Sequence, residues 1–379
     1  MELIGSAPSR RLLSRFPWGA LALTCGIAAL GVWNLASASR VSNVSLWKSQ
    51  LAWLGGGLAV VALLALWDYR HLMALSFPFY GLVLLLLLGV ILKGRTVMGA
   101  RRWLDLGPLH LQPSELAKLA VVLVLSWLFH ERPPPKGGYG VGQLILPFAL
   151  ILAPVAIVMK QPDLGTALII AAVGFTLCVF ASIRLPVLVA LALVGVASTT
   201  VLFAAASDDG SRFHFLKDYQ KRRIRSFLNP EGDALGAGYH ANQSMIAVGS
   251  GQLTGKGWGH GTQTQLSFLP EQHTDFIFSV WAEEHGFVLS LVLLLLYFCL
   301  FVWALWVSGQ ARERFGSYLA AGVAALVFWH VFINIGMVTG VLPVVGVTLP
   351  LMSYGGSSLL TVLIGVGIVL NVQMRRQLF

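Results

Sequence analysis

The sequence has 379 residues, 56% hydrophobic and only 11% charged, with a mean hydropathy of +0.76 and a formal net charge of +10. A soluble domain carries about a quarter charged residues, so a water-soluble globule is excluded. The apolar runs are about 17–25 residues long, which suits spanning helices and not the roughly ten-residue alternations of a membrane barrel.

Ten spans are predicted, at 17–37, 50–67, 72–92, 114–130, 144–159, 165–182, 185–205, 276–306, 317–341 and 356–372. The fold class is thus an all-α polytopic membrane protein with about ten transmembrane helices. It reads as one transmembrane domain over 1–379, with a long extracytoplasmic loop, 206–275, between spans seven and eight. The first span follows Arg10, Arg11 and Arg15 and looks superficially like a signal peptide, but the later spans make it a first anchor. With both termini cytoplasmic, the inner loops hold eleven basic residues and the short outer loops seven. The bias agrees with the positive-inside rule. This topology gathers the polar stretches on one outer face.

The first of these, "KGRTVMGARRWLDLG" (93–107), carries four bases and Trp103. Paired arginines such as Arg101 and Arg102 suit phosphate or pyrophosphate oxygens, although such runs are commonly just solvated. Basic residues on the outer side run against the topology bias, which favours the functional reading. In span four, "QPSELAKLA" places Glu115 and Lys118 three residues apart on one helix face. Two readings stay open: a self-neutralising pair that fixes packing, or the wall of a polar cavity. In the second, Lys118 partners an anionic group or Asp163. Asp163 opens span six in "QPDLGTA", where helix capping competes with a cavity role.

The long loop holds "KDYQKRRIRSFLNP", five bases among Tyr219, Ile224, Phe227 and Leu228, which reads as an amphipathic segment at an anionic membrane surface. Nucleic acid is the wrong partner for an outward membrane loop. Eight glycines follow between Gly236 and Gly261, implying tight turns or close backbone approach. Next comes "SFLPEQHTDFIFSVWAEEHGF" (267–287), where Asp275 stands at the mouth of span eight and Glu283 and Glu284 lie within it. The two glutamates are read as capping or cavity-polarity groups about 12–14 Å from Asp275 at 1.5 Å per residue, with Gly286 permitting a bend. His273 is read as a packing residue in preference to a second base.

Cys25, Cys178 and Cys299 lie in apolar spans without metal or disulfide spacing. Walker, HExxH, GxSxG and Rossmann patterns are absent, which argues against ATP hydrolysis, zinc proteolysis and serine-triad chemistry.

The stretches at 99–120, 161–167, 227–244, 255–287 and 334–358 together closely resemble the SEDS (shape, elongation, division, sporulation) membrane glycosyltransferases, in the family's order. Within the family, "FLNPEGDALGAGYH" and "GKGWGHGTQTQLSFLPE" are similar to the elongation branch. The resemblance implies a bacterial inner-membrane enzyme that polymerises lipid II into glycan strands for elongation and rod shape. It also implies a class B penicillin-binding protein and other elongation-complex membrane proteins as partners. The family's catalytic aspartate carries over to Asp275, and Arg101, Arg102, Glu115, Lys118 and Asp163 become cavity residues. Inverting transfer from undecaprenyl pyrophosphate requires one base, and cations to neutralise the leaving group. A divalent cation, Mg²⁺ or Mn²⁺, is a possible helper; no organic cofactor is expected. The alternatives are a lipid II flippase without polymerase activity, and a scaffold that only recruits the transpeptidase.

Overall fold

A computed structural model describes residues 16–40, 45–97, 100–107, 109–207, 218–228 and 237–376. Arg10, Arg11, Arg15 and the stretch 229–236 lie outside the described residues. The elements in chain order are α1 (Trp18–Ala38), α2 (Leu46–Leu66), α3 (His71–Lys93), β1 (Arg95–Val97), β2 (Ala100–Leu106) and β3 (Leu109–Leu111). They continue as α4 (Pro113–Glu131), α5 (Val141–Lys160), α6 (Leu164–Phe180), α7 (Leu185–Ser207), α8 (Asp218–Leu228), α9 (Ala237–Ser250) and α10 (Thr262–Gln265). The chain then completes α11 (Ile277–Gln310), α12 (Arg314–Val338) and α13 (Gly356–Arg375).

Each predicted span coincides with a helix. Among the described residues nine are long and apolar enough to cross a membrane, and α6, a 17-residue apolar helix, is shorter. The centre of the bundle is α4, α12 and α13, which are mostly buried, whereas α7 shows its whole apolar window to the surroundings. Small residues let the central helices approach closely: Gly322 of α12 backs onto Val122 of α4 and Leu177 of α6.

The connections sort to two poles. At one, Arg375 pairs with Asp68 at 3.3 Å and Arg70 with Glu313 at 3.0 Å. At the other, the C-terminal end of α1, the β-sheet, the N-termini of α4 and α6, helices α8–α10 and the 339–355 connector converge. Gln272 there donates to Ala38 O at 2.8 Å, Arg102 to Pro162 O at 2.5 Å and Arg223 to Val345 O at 3.0 Å.

Two features depart from the sequence reading. The first is a small antiparallel sheet, in order β1-β2-β3, within what the sequence reading treated as an outer loop. Its strands run for only 3, 7 and 3 residues, so the period-two signal in "RWLDL" is easily lost beside the helices. The second is the break in α11. Gly286 has φ +73° and ψ −174°, and a Cβ there would lie 2.3 Å from Gly255 N. Only glycine allows both that conformation and that approach. Glu283 and Glu284 therefore belong to a short helix, Ile277–His285, ahead of the apolar segment, and not to its first turns as expected.

Candidate active site

Asp275 sits in the irregular lead-in to α11, and the backbone carbonyls around it are held from three directions. His273 O accepts from Tyr354 N at 2.9 Å and Thr274 O from Ser353 Oγ at 2.6 Å. Asp275 O accepts from Asn334 Nδ2 at 2.8 Å and Ile277 O from Asn34 Nδ2 at 3.0 Å. The same Asn334 Nδ2 also donates to Val347 O at 2.6 Å. The carboxyl is partly buried. Gly346 passes beside it at φ +76°, and a Cβ on Gly346 would stand 3.1 Å from Asp275 Oδ2.

Burial, first, and then the negative charge of Glu271 push the Asp275 carboxyl up to about 6. Arg102 and Arg223 pull the other way, and Asp163 adds to the rise. Two cations and two acids from four different segments thus share one electrostatic neighbourhood with Asp275. A carboxyl near 6 is a usable proton acceptor at neutral pH, ionised yet more basic than an exposed aspartate.

Arg102 projects from β2 towards α6, giving its Nη2 hydrogen to Pro162 O and standing 4.0 Å from Asp163 Oδ1. Asp163 is also the N-cap of α6, accepting from Thr166 N at 3.3 Å and Thr166 Oγ1 at 3.0 Å. Asp163 is thus the cap that its position predicts, with Arg102 as a charged neighbour. Gln112 Nε2 adds a contact to Asp163 Oδ2 at 3.4 Å. Arg101 is not brought to this group: successive strand residues face opposite ways, and its Nε donates to Thr96 Oγ1 at 3.3 Å on the exposed side.

Glu115 and Lys118 do meet, at 2.7 Å, with Lys118 only 1% exposed. Lys118 Nζ also lies 2.9 Å from His330 Nε2, so its partners are Glu115 and His330, not Asp163. His330 and Asn334 escaped the sequence reading. The available signal was two polar side chains four residues apart in an otherwise apolar helix, hence on one face.

Glu283 and Glu284 do the work of anchors. Glu283 is fully buried and accepts from Lys256 Nζ at 2.7 Å, Gln263 N at 2.9 Å, Thr264 N at 3.3 Å and Thr264 Oγ1 at 3.1 Å. Its charge sits against the N-terminal N–H groups of α10. Glu284 takes a hydrogen bond from Ser37 Oγ of α1 at 2.6 Å. In the basic run of α8, Arg223 and Arg225 turn inward to Val345 O and Ala206 O. Among the described residues, no three histidine, cysteine or acidic side chains gather as a metal cage.

The family model described as "Cell cycle protein" (FTSW_RODA_SPOVE) matches residues 15–378. The chain belongs to the SEDS family. Its curated relatives include "Peptidoglycan glycosyltransferase MrdB" of Escherichia coli (strain K12), 40% identical over 93% of this chain and 90% of that protein. "Peptidoglycan glycosyltransferase RodA" of Treponema pallidum (strain Nichols) is 30% identical over 86% of this chain and 89% of that one. Among solved structures, this SEDS protein is similar to a chain in "Structural coordination of polymerization and crosslinking by a peptidoglycan synthase complex". The TM-score is 0.80 at 35% identity, covering 96% of this chain and 98% of the other. It is likewise similar to the rod shape determining protein RodA of Thermus thermophilus, with TM-score 0.70 and 33% identity over 96% and 98% of the two chains. The SEDS fold therefore extends over nearly the whole chain, including the pole that carries Asp275.

Proposed function

We propose that this SEDS protein is a peptidoglycan glycosyltransferase of the elongation type, polymerising lipid II with Asp275 as the general base. One observation carries the assignment of the base: a partly buried carboxyl raised to about 6 lies within the electrostatic reach of Arg102 and Arg223 at the pole where the polar connections converge. The names of its relatives give the reaction class.

In the proposed step the acceptor's 4-hydroxyl oxygen attacks the anomeric carbon of the α-linked donor. The hydroxyl proton passes to the Asp275 carboxylate. The bond from carbon to the pyrophosphate oxygen breaks, its electron pair leaving on undecaprenyl pyrophosphate, and a β-linkage forms. Pyrophosphate requires positive charge, not a proton, to depart, and Arg102 and Arg223 supply it beside the acid. Lys118 is a third, more deeply placed cation. A Mg²⁺ or Mn²⁺ ion arriving with the pyrophosphate would supply further positive charge there and would require few carboxylates from the protein.

The protein is a multi-pass membrane protein. In the proposed orientation it lies in the bacterial inner membrane with both termini cytoplasmic, and the Asp275 pole faces outward, where lipid-tethered donor and acceptor meet it. A class B penicillin-binding protein is its proposed partner, in keeping with the polymerisation and crosslinking that the similar synthase complex couples. The test is polymerisation of purified lipid II by Asp275→Asn protein that retains its fold. A loss of about 10²–10⁴-fold is expected for removal of a general base, and turnover near the parent rate would refute the assignment.

A further inference from the structure

Asp275 and Lys118 lie on different elements, yet one face of α12 touches the surroundings of both. Asn334 and His330 are four residues apart, 0% and 2% exposed, in a helix that is otherwise almost wholly apolar. Asn334 spends both amide hydrogens: one on Asp275 O at 2.8 Å, one on Val347 O at 2.6 Å. His330 repeats the pattern one turn earlier. Its Nε2 stands 2.9 Å from Lys118 Nζ and its Nδ1 3.2 Å from Thr348 O. An ammonium can only donate, so Nε2 is the acceptor and Nδ1 carries the hydrogen given to Thr348. The two side chains thus grip adjacent carbonyls, Val347 and Thr348, of the strand that passes Asp275 at Gly346. With their other contacts they hold the acid's own peptide and the buried cation.

Packing alone does not account for this choice of residues. A fully buried asparagine is costly unless its groups are paired, and here Oδ1 has no partner among the described residues. A leucine or methionine would fill the space without that cost. What the asparagine provides is a pair of donors converging on two carbonyls from different segments.

We propose that Asn334 and His330 are positioning residues for glycosyl transfer: Asn334 fixes Asp275 against the Gly346–Val347 wall, and His330 fixes Lys118 against Thr348. This rests on the assignment of Asp275 as the base. The experiment compares Asn334→Ala, Asn334→Ser and the near-isosteric Asn334→Asp with Asp275→Asn, all in the full chain with its transpeptidase partner and lipid II as substrate. His330→Gln is run beside Lys118→Met.

For the Asn334 variants kcat is expected to fall at least 30-fold, with KM within threefold of the parent and the protein still folded at the assay temperature, although with a lowered thermal midpoint. His330→Gln is expected to lower kcat at least tenfold and to leave the pH dependence set by Asp275 in place. A parent-like kcat in the Asn334 variants, alongside an inactive Asp275→Asn, overturns the positioning role and leaves the base standing. A parent-like kcat in Asp275→Asn overturns the base instead. If all three Asn334 variants fail to fold, or lose kcat and lipid II affinity together, the residue belongs to the fold and the proposal fails.

Discussion

The Lys118 ammonium and the Glu115 carboxylate stand 2.7 Å apart at the buried end of a helix that exposes almost nothing to solvent. Desolvating two charges is offset only when both stay together, and removing one partner strands the other. Glu115→Ala should therefore lower stability by about 3–5 kcal/mol. The double variant Glu115→Gln/Lys118→Met should return to within about 1 kcal/mol of the parent, since a neutral pair of similar volume carries no such penalty. Thermal unfolding in detergent reads both. Polymerisation by the double variant then separates the two roles the sequence allowed: a packing pair gives full activity, a cavity wall gives a loss, and a loss of at least tenfold is expected.

As the proposed base, Asp275 sets a pH dependence whose sign is fixed. As a base it works only when ionised, so kcat should rise with pH through about 6 and level off above 7. The groups facing it are Glu271, Asp163, Arg102 and Arg223. Arg102→Gln and Arg223→Gln, each removing a cation that favours the charged form, should move that limb upward. An acid limb at the ordinary carboxylate value near 4 would contradict the site as described.

The same shift has a thermodynamic face. A carboxyl whose folded value is raised above its unfolded one favours the folded state at low pH, and that advantage disappears as pH rises through about 6. At pH 8 the ionised Asp275 is thus a cost, and Asp275→Asn should be more stable than the parent by about 1–2 kcal/mol after allowance for its partial exposure. The gap should close as the pH approaches 4. Paired melting curves at pH 8 and pH 4.5 check it.

Gly346 offers a test of how tightly the acid is walled. Its φ of +76° disfavours any side chain, and an added Cβ lands 3.1 Å from Asp275 Oδ2. Gly346→Ala should cost about 1–2 kcal/mol in backbone strain and lower kcat by more than that cost explains, at least tenfold, because the methyl displaces the carboxyl. Equal losses of stability and activity would show that strain alone is at work.

Much of this was legible in the sequence, for identifiable reasons. Apolar runs of spanning length give their own boundaries, because an uninterrupted run of that length satisfies its own backbone in lipid only as a helix. Asp275, Asp163 and the Glu115–Lys118 pair stood out because charge is scarce in such a chain. Other features were hidden for equally physical reasons. Whether Arg101 and Arg102 act together depends on a strand that turns them apart, and the sequence reading had no sheet there. His330 and Asn334 are uncharged and deep in α12, and their value lies in contacts with residues 347 and 348, brought near only by the reversal of the chain after α12. Glu283 and Glu284 were placed within the apolar helix because hydropathy runs straight through Gly286, while φ does not.

The peptide carbonyls flanking Asp275 are claimed by α1, α12 and the connector before α13, parts of the chain about 20 to 300 residues apart in sequence. A nascent or half-assembled polypeptide consequently lacks a formed reaction centre. With Asp275 as the proposed base, an organised acid exists only once α12 and the connector have docked beside it.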